Sequence, residues 1–228
     1  NQYSKKYLDQ FYREVEPDFQ EYLMRERKTE FRQLSTDELV AKIHSYLEHL
    51  RTFSCVHFVI AARLGFFATE RLKKKVARLL PSEEGEILIS ELLRGLSGSK
   101  ITDENIALGR LIRGEISEEE FLEAYGHLAS NELEISLPRR EEDPASIERL
   151  ITNFRKTGKD PVAEFETQVQ RRKAAEDKLR SLVANHGDKS VLEDLITAQK
   201  YLPLRETIKY YFTGEYALIR KALLVLSE

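Results

Sequence analysis

Residues 35–67 read STDELVAKIHSYLEHLRTFSCVHFVIAARLGFF, and this stretch decides the fold class. Ser35 with Glu38 three residues later is the capping-box pattern, in which each side chain bonds the backbone amide of the other residue at a helix start. Apolar side chains then recur at intervals of three and four, and from Phe53 to Phe67 nearly every position is apolar. The pattern predicts a long helix whose middle is buried on most sides.

The same 3.6-residue period continues on both sides of this stretch. A helix is expected from Tyr3 to about Lys28, kinked or divided at Pro17, because proline lacks the amide that a helix interior needs. Another is expected from Pro161 to about His186. The last segment, residues 190–226, is helical with an interruption near Pro203, and short helices fill residues 82–129.

Composition agrees with a helical chain. Only 10 Gly and 6 Pro occur in 228 residues, and 41% of the residues are apolar while 33% are charged. We therefore predict an all-α fold, an irregular two-lobed helical array with one extended surface loop. The lobes are expected at residues 1–81 plus 190–228 and at residues 82–189, within a single helical domain fragment covering residues 1–228.

Charge and cysteine content limit the classes of partner. A formal net charge of −3 provides no field that would attract nucleic acid or an anionic membrane. The sequence shows no apolar stretch that we expect to span a bilayer. The single cysteine, Cys55, cannot form an internal disulfide, so we expect a reducing, cytoplasmic compartment. Its side chain is expected to be a small buried group. The chain begins at Asn1, and we expect it to be a fragment of a longer protein.

Signatures of self-sufficient catalysis are missing from the sequence. It contains no phosphate-binding P-loop, dinucleotide-binding glycine motif, zinc-protease helix or nucleophile elbow. Its five histidines are scattered, and His44 and His49 are spaced so that they do not face the same side of a helix. We expect no metal site, no catalytic residue and no cofactor in this chain.

In the segment 125–144, YGHLASNELEISLPRREEDP, residues 130–144 break the helical period and contain two prolines, which predicts an extended loop. The segment resembles the phosphoenolpyruvate-utilising phosphotransferases, typified by phosphoenolpyruvate synthase and the rifampicin phosphotransferases. The shared elements are Gly-His at 126–127, Asn-Glu at 131–132, Pro-Arg at 138–139 and Glu-Asp-Pro at 142–144. Leu128 stands where the family has Arg, and Arg140 where it has Trp.

Two further stretches agree with the family in order. Residues 92–96, LLRGL, followed by TDE at 102–104, are similar to a Leu-Leu-Ser-Gly-Leu element and a later Glu. Residues 204–210, LRETIKY, are similar to an Arg-Glu-x-x-Lys helix. The resemblance thus spans residues 92–220, while the first ninety residues agree only in being helical.

The resemblance implies a place for this chain within a larger enzyme. In the family an ATP-grasp domain phosphorylates a histidine on a swivelling domain, and a helical region lies between these parts. The chain is identified as that helical region, so its partners would be the ATP-grasp and phosphohistidine domains of the same protein and a small-molecule acceptor. ATP and Mg would serve the full-length enzyme. Among the motif residues, His127, Asn131, Glu132 and Arg139 are expected to have structural or interdomain roles.

Arg205 and Lys209 are the candidate substrate-binding residues. A separation of four places both cations on one helix face, where they could clamp a phosphate, although a solvated pair beside Glu206 has the same spacing. Tyr210, Tyr211 and Phe58 could form apolar walls of an acceptor pocket or simply belong to the core. In the predicted loop, we expect Glu132 to pair with a nearby cation or with backbone amides.

Three functions remain open from the sequence. The first is an acceptor-binding or linker helical domain that positions the acceptor for transfer from a phosphohistidine on another domain. The second is a non-catalytic structural or docking domain that only organises its neighbours. The third is a stand-alone helical regulator.

The isolated chain is predicted to be part of a phosphotransferase without being catalytic alone. It should neither hydrolyse ATP nor phosphorylate itself, because it lacks a phosphate-cradling loop and the Gly-Gly-x-x-Ser/Thr-His-Ala carrier signature. Incubation with labelled ATP or phosphoenolpyruvate checks this. Acid-labile phosphate on any of the five histidines would contradict it.

Overall fold

The computed structural model describes residues 2–158, 160–186 and 188–228, and all regular secondary structure in these ranges is helical. The prediction of an all-α fold is confirmed. The α-helices, in chain order, are α1 Gln2–Gln10, α2 Glu16–Glu26, α3 Thr36–His49, α4 Cys55–Val76, α5 Ser82–Leu92, α6 Lys100–Ile112, α7 Glu118–Tyr125, α8 Ser146–Thr157, α9 Pro161–His186 and α10 Ser190–Leu226.

Two five-residue π-helical segments join successive helices without a break. Phe11–Val15 links α1 to α2, and Leu50–Ser54 links α3 to α4. Pro17 lies in the first turn of α2, where a helix tolerates a residue without an amide. The expected interruption near Pro17 is therefore the π-helical widening just before it.

Helix starts follow the local sequence closely. At α3 the Glu38 amide donates to Ser35 Oγ, 3.3 Å away, and the Ser35 amide donates to the Glu38 carboxylate, 2.8 Å away. Ser117 and Glu120 form the same capping box at the start of α7. Each cap satisfies amides that the first turn leaves without partners, which is typically worth about 1 kcal/mol.

The expected interruption near Pro203 was wrong, because α10 continues through this residue. Pro203 cannot donate the hydrogen bond to residue 199 that a regular helix would make. Its neighbours Tyr201 and Leu204 are completely buried. Burial of such side chains contributes about 1.5–3 kcal/mol each, enough to offset one missing bond.

The chain divides into two compact units. Unit 1 contains residues 59–109 and 154–207, and unit 2 contains residues 2–58, 110–153 and 208–228. Their boundaries fall within α4, α6, α8 and α10. The lobes expected from the sequence, 1–81 plus 190–228 and 82–189, divide the chain at other points.

Unit 1 is built on an aliphatic core supplied by α4, α5, α9 and the first part of α10. Leu72, Leu92 and Leu179 are completely buried there. At the polar edge of this core Asp194 accepts from Arg71 Nε at 2.8 Å and from Lys75 Nζ at 2.7 Å. The core therefore unites segments that are far apart in the chain.

Unit 2 is built on aromatic rings and one buried carboxyl group. Phe19 stacks on Tyr211 with ring centroids 5.0 Å apart. Glu215 is completely buried and accepts hydrogen bonds from His49 Nδ1, at 3.1 Å, and from the hydroxyl of Ser54. Both donors lie in or beside the π-helical segment Leu50–Ser54, so α10 fixes this irregular turn.

One helix among the described residues is long and apolar enough to cross a membrane. It runs over Thr36–Val76 and contains an 18-residue window with a mean hydropathy of 1.4, of which 22% is buried. The sequence expectation that no such stretch exists was wrong, and the middle of this helix is not buried on most sides, because Val56, Val59 and Phe66 are about half exposed. The core helices of soluble proteins pass the same test of length and composition.

Truncation of the unit 1 core is predicted to destabilise the chain. Leu179→Ala should lower the free energy of unfolding by about 2–5 kcal/mol, because it removes buried methyl groups and leaves a cavity. Leu47→Ala, at a helical leucine that is half exposed, is the matched control and should change it by less than about 1 kcal/mol. Urea unfolding measures both. Equal effects would show that the core is placed wrongly.

Candidate functional site

The candidate site is the motif loop, residues 126–144, which lies in unit 2 with the last part of α10. It leaves α7 at Gly126 and ends in the short 3-10 turn Arg140–Glu142 before α8. A Cβ at position 126 would collide with the Leu122 carbonyl oxygen and lie 3.0 Å from Glu141 Cβ, so a larger residue would force the backbone to shift here.

Backbone hydrogen bonds close the loop on itself. The Arg140 amide donates to the Leu128 carbonyl at 2.9 Å, and the Glu141 amide donates to the Gly126 carbonyl at 3.0 Å. These bonds give partners to backbone groups that no helix or sheet satisfies. The loop is thereby a segment outside the α-helices that is closed by its own backbone, as its sequence predicted.

Glu142 and Arg220 hold the loop on α10. Arg220 is 8% exposed, and its Nε donates to Glu142 Oε2 at 2.9 Å. The same carboxylate oxygen accepts from the Arg139 amide at 2.8 Å, while Arg220 Nη1 donates to the Ile135 carbonyl. One arginine of α10 therefore binds the loop at two separate points.

Two further ion pairs flank this contact. Lys209 Nζ lies 2.6 Å from Glu132 Oε2, and Lys221 Nζ lies 2.6 Å from Glu141 Oε1. The expectation that Glu132 pairs with a nearby cation is confirmed. Both pairs are partly exposed, so each contributes less to stability than the more buried pair of Arg220 and Glu142.

His127 is buried beneath the loop, with 3% of its surface exposed. Its ring lies edge-to-face against Tyr210, with centroids 4.6 Å apart. Nδ1 is 3.0 Å from Arg27 Nη2. A guanidinium only donates, so Nδ1 accepts and the proton of the neutral ring is on Nε2.

The surroundings keep His127 neutral. Burial, followed by the positive charge of Arg27, lowers its pKa to about 3; a backbone group of Tyr210 raises the pKa, and Arg140 and Arg139 lower it further. An imidazole that is buried and surrounded by cations is positioned to fill and order the loop rather than to meet a reactant.

The other motif residues have different environments. Arg139 is 1% exposed and is among the largest fully buried side chains. Asn131 is exposed, and its backbone carbonyl accepts from the Glu134 amide at 3.1 Å. Arg139 is therefore an internal component of the loop, whereas Asn131 lies at its surface.

The two candidate substrate-binding cations lie in different units. In unit 1, Arg205 is 44% exposed in its side chain and donates through Nε to Glu206 Oε1 at 2.8 Å. In unit 2, Lys209 is 37% exposed and pairs with Glu132. Each cation thus has one carboxylate partner within its own unit.

The proposed aromatic walls include a core residue. Tyr211 is 2% exposed, accepts a hydrogen bond from Gln20 and donates one to Glu16 at 2.9 Å. Tyr210 donates to the Ala124 carbonyl at 2.6 Å. Tyr211 therefore belongs to the interior of unit 2, which is one of the two roles that the sequence left open.

A separate cleft of about 370 Å³ lies in unit 1. Apolar and aromatic side chains share its walls with a few polar ones: Ile106, Phe154, Pro161 and Phe165, with Thr102, Asn105, Glu164 and Gln168. This size and mixture are typical of small-molecule sites. No local sequence pattern indicated this cleft, because its two walls come from α6 and from residues 154–168.

The described ranges contain no group of three His, Cys, Asp or Glu side chains that could hold a metal ion.

Sequence reasoning missed Arg220 as the residue that holds the loop. Its partners lie 78 and 85 positions away, and no local pattern connects them.

Residues 114–206 match the family model for the rifampicin phosphotransferase fourth domain. No curated protein matches the chain. The matched region is less than half of the chain; it contains the whole motif loop and Arg205, and it ends before Lys209. The match confirms the resemblance to the helical domain of a phosphoenolpyruvate-utilising phosphotransferase and supports a phosphotransferase-related domain.

Acidification is predicted to destabilise the chain through His127. Its pKa is about 3 when folded and about 6.5 when unfolded, so between these values only the unfolded chain takes up the proton. Stability is therefore lost as the pH falls, by about 2 kcal/mol between pH 7 and pH 5.

Urea unfolding of the chain and of His127→Gln at both pH values tests this. The variant should be less stable at pH 7 but should lose about 2 kcal/mol less on acidification. The pKa of His57 is also lowered by burial, and its contribution cancels because both proteins retain it. Identical losses in the two proteins would show that His127 does not have the assigned environment.

Proposed function

We propose, from the match of residues 114–206 to a rifampicin phosphotransferase domain, that this chain is the acceptor-side helical part of a phosphoenolpyruvate-utilising phosphotransferase. It would position the acceptor hydroxyl for attack on a phosphoryl group carried by a histidine of another domain. That match is the observation that carries the proposal. ATP and Mg would act on the ATP-grasp domain of the same protein.

The environment of His127 supports a role other than phosphoryl carrier. A carrier nitrogen must meet both a donor and an acceptor, whereas this ring is buried and its Nδ1 accepts from Arg27. His127 would instead order the motif loop. The transferred phosphoryl group would be brought by the phosphohistidine domain.

Arg205 is the residue proposed to meet that phosphoryl group. Its partner is an adjacent, partly exposed carboxylate, and such pairs contribute only about 0–1 kcal/mol. A phosphoryl group, with more negative charge and three acceptor oxygens, can therefore replace Glu206 at small cost. Lys209, the other cation proposed for substrate binding, pairs with Glu132 within unit 2.

The unit 1 cleft offers a place for the body of the acceptor. Phe154 and Phe165 give it aromatic walls, while Asn105 and Gln168 add amide groups that can orient a ligand. Holding the acceptor converts a bimolecular encounter into a reaction within one complex, which is a large part of what such a domain can add to the rate.

A non-catalytic docking domain is the second candidate. It is favoured by the number of motif residues whose partners lie inside unit 2, among them Arg220 with Glu142 and Lys209 with Glu132. In that case the motif loop would organise the fold, and the acceptor would bind elsewhere in the full-length protein.

Arg205→Ala in the full-length protein separates the two candidates. Loss of one charge-assisted contact should lower acceptor phosphorylation by about 10- to 100-fold and leave phosphorylation of the carrier histidine unchanged. Single-turnover assays of the two half-reactions measure this. Arg180→Ala, which removes an exposed arginine of unit 1, is the matched control and should change neither.

An equal loss in both half-reactions would indicate that Arg205 acts through folding or domain docking. Full acceptor phosphorylation by the variant would assign Arg205 to the solvated surface. Either result contradicts the proposed role in substrate binding.

A further inference from the structure

Arg139 carries a buried charge whose hydrogen bonds are mostly unmade. The residue is 1% exposed, and its one hydrogen bond from the guanidinium, Nη1 to the Glu134 carbonyl, is long at 3.4 Å. Nε and Nη2 have no hydrogen-bond partner among the described residues, although both are buried. A buried guanidinium left in this condition is costly, and native structures usually supply a partner.

The carboxylates around Arg139 already serve other groups. Glu142 binds Arg220 and the Arg139 amide, Glu132 binds Lys209, and Glu134 accepts from the amide and hydroxyl of Ser136. They act on Arg139 only at a distance. The missing hydrogen-bond partner of the Arg139 guanidinium is therefore an anion other than these three carboxylates.

Charges of both signs surround the Arg139 guanidinium. Burial, followed by the nearby Arg220, lowers the pKa of the Arg139 guanidinium, and Glu142, Glu132 and Glu134 raise it. Arg220 is itself 8% exposed, so two guanidinium groups share a poorly solvated region. An added negative charge would be attracted by both guanidinium groups and repelled by the carboxylates, so it is the unmade hydrogen bonds of Arg139 that favour an anion.

The two free nitrogens define the shape of the missing partner. Nε and Nη2 form one edge of the planar guanidinium, and their N–H bonds run parallel. That edge matches two oxygens of one carboxylate or phosphate group, the strongest and most specific geometry available to arginine. Chloride offers a single acceptor and would satisfy only part of the edge.

We infer that the Nε–Nη2 edge of Arg139 binds a small oxyanion, a phosphate or a carboxylate, beneath the motif loop. Residues 131–138 form the part of the motif loop that precedes Arg139, and Asn131, Leu133 and Glu134 are exposed in it. Lys209 with Glu132 and Arg220 with the Ile135 carbonyl hold this part of the loop in place. The inference does not rest on the proposed function, since it concerns a different arginine in unit 2.

Titration calorimetry of the 228-residue chain with inorganic phosphate and, separately, with acetate tests the site at constant ionic strength in chloride. Saturable binding of one equivalent of either anion is expected, and the anion that binds identifies the group. At phosphate or acetate concentrations 100 times the dissociation constant, the unfolding midpoint should rise by roughly 5–10 °C.

Arg139→Lys keeps the charge but removes the two-pronged edge, and it should weaken binding at least 10-fold. Arg180→Lys, at an exposed arginine of unit 1 with no proposed binding role, is the matched control and should bind as the unchanged chain does. Retained binding in Arg139→Lys, equal loss in both variants or saturable binding of chloride would each overturn the inference.

A measurement on the unchanged chain covers the case in which Arg139→Lys does not fold. In a chain labelled with ¹⁵N at arginine, the Nε–H resonance of Arg139 should shift on addition of the anion with the same saturation curve as the heat. A wild-type chain that shows neither heat nor shift up to tens of millimolar anion would also overturn the inference.

Discussion

The contact between Glu142 and Arg220 is the constraint on which the motif loop depends. An extended segment inside a helical protein has backbone groups with no regular partners, and each one left unpaired and buried costs about 1–3 kcal/mol. Glu142 satisfies the Arg139 amide, and Arg220 satisfies the Ile135 carbonyl. Because the two side chains also bind each other, both halves of the loop are tied to α10.

This arrangement determines what the motif residues can do. With the loop closed, His127 and Arg139 are buried, whereas Asn131 remains at the surface. A neutral imidazole next to Arg27 does not present a nucleophile, so the environment of His127 suits it to ordering the loop. Chemistry would reach it through the more exposed Arg205 and through anions that can enter beneath the loop.

Features encoded by neighbouring residues were predictable from the sequence. The capping box at Ser35 was found as expected, and α9 has the bounds Pro161–His186 that the sequence indicated. Each depends on interactions within a few positions. The extended loop was recognised for the same reason, since its prolines and missing period act locally.

Features that depend on distant partners were not predictable. The continuity of α10 through Pro203 depends on the burial of Tyr201 and Leu204 by other segments. Arg220 lies in a helical pattern that gives no sign of its partners in the loop. The same holds for Glu215, whose carboxyl group binds His49 and Ser54.

A double-mutant cycle tests the contact between Glu142 and Arg220 most directly, with Arg220→Met, Glu142→Gln and their combination unfolded in urea. The account predicts a coupling free energy of about 1–3 kcal/mol between the two residues, whereas additive effects within about 0.5 kcal/mol would contradict it.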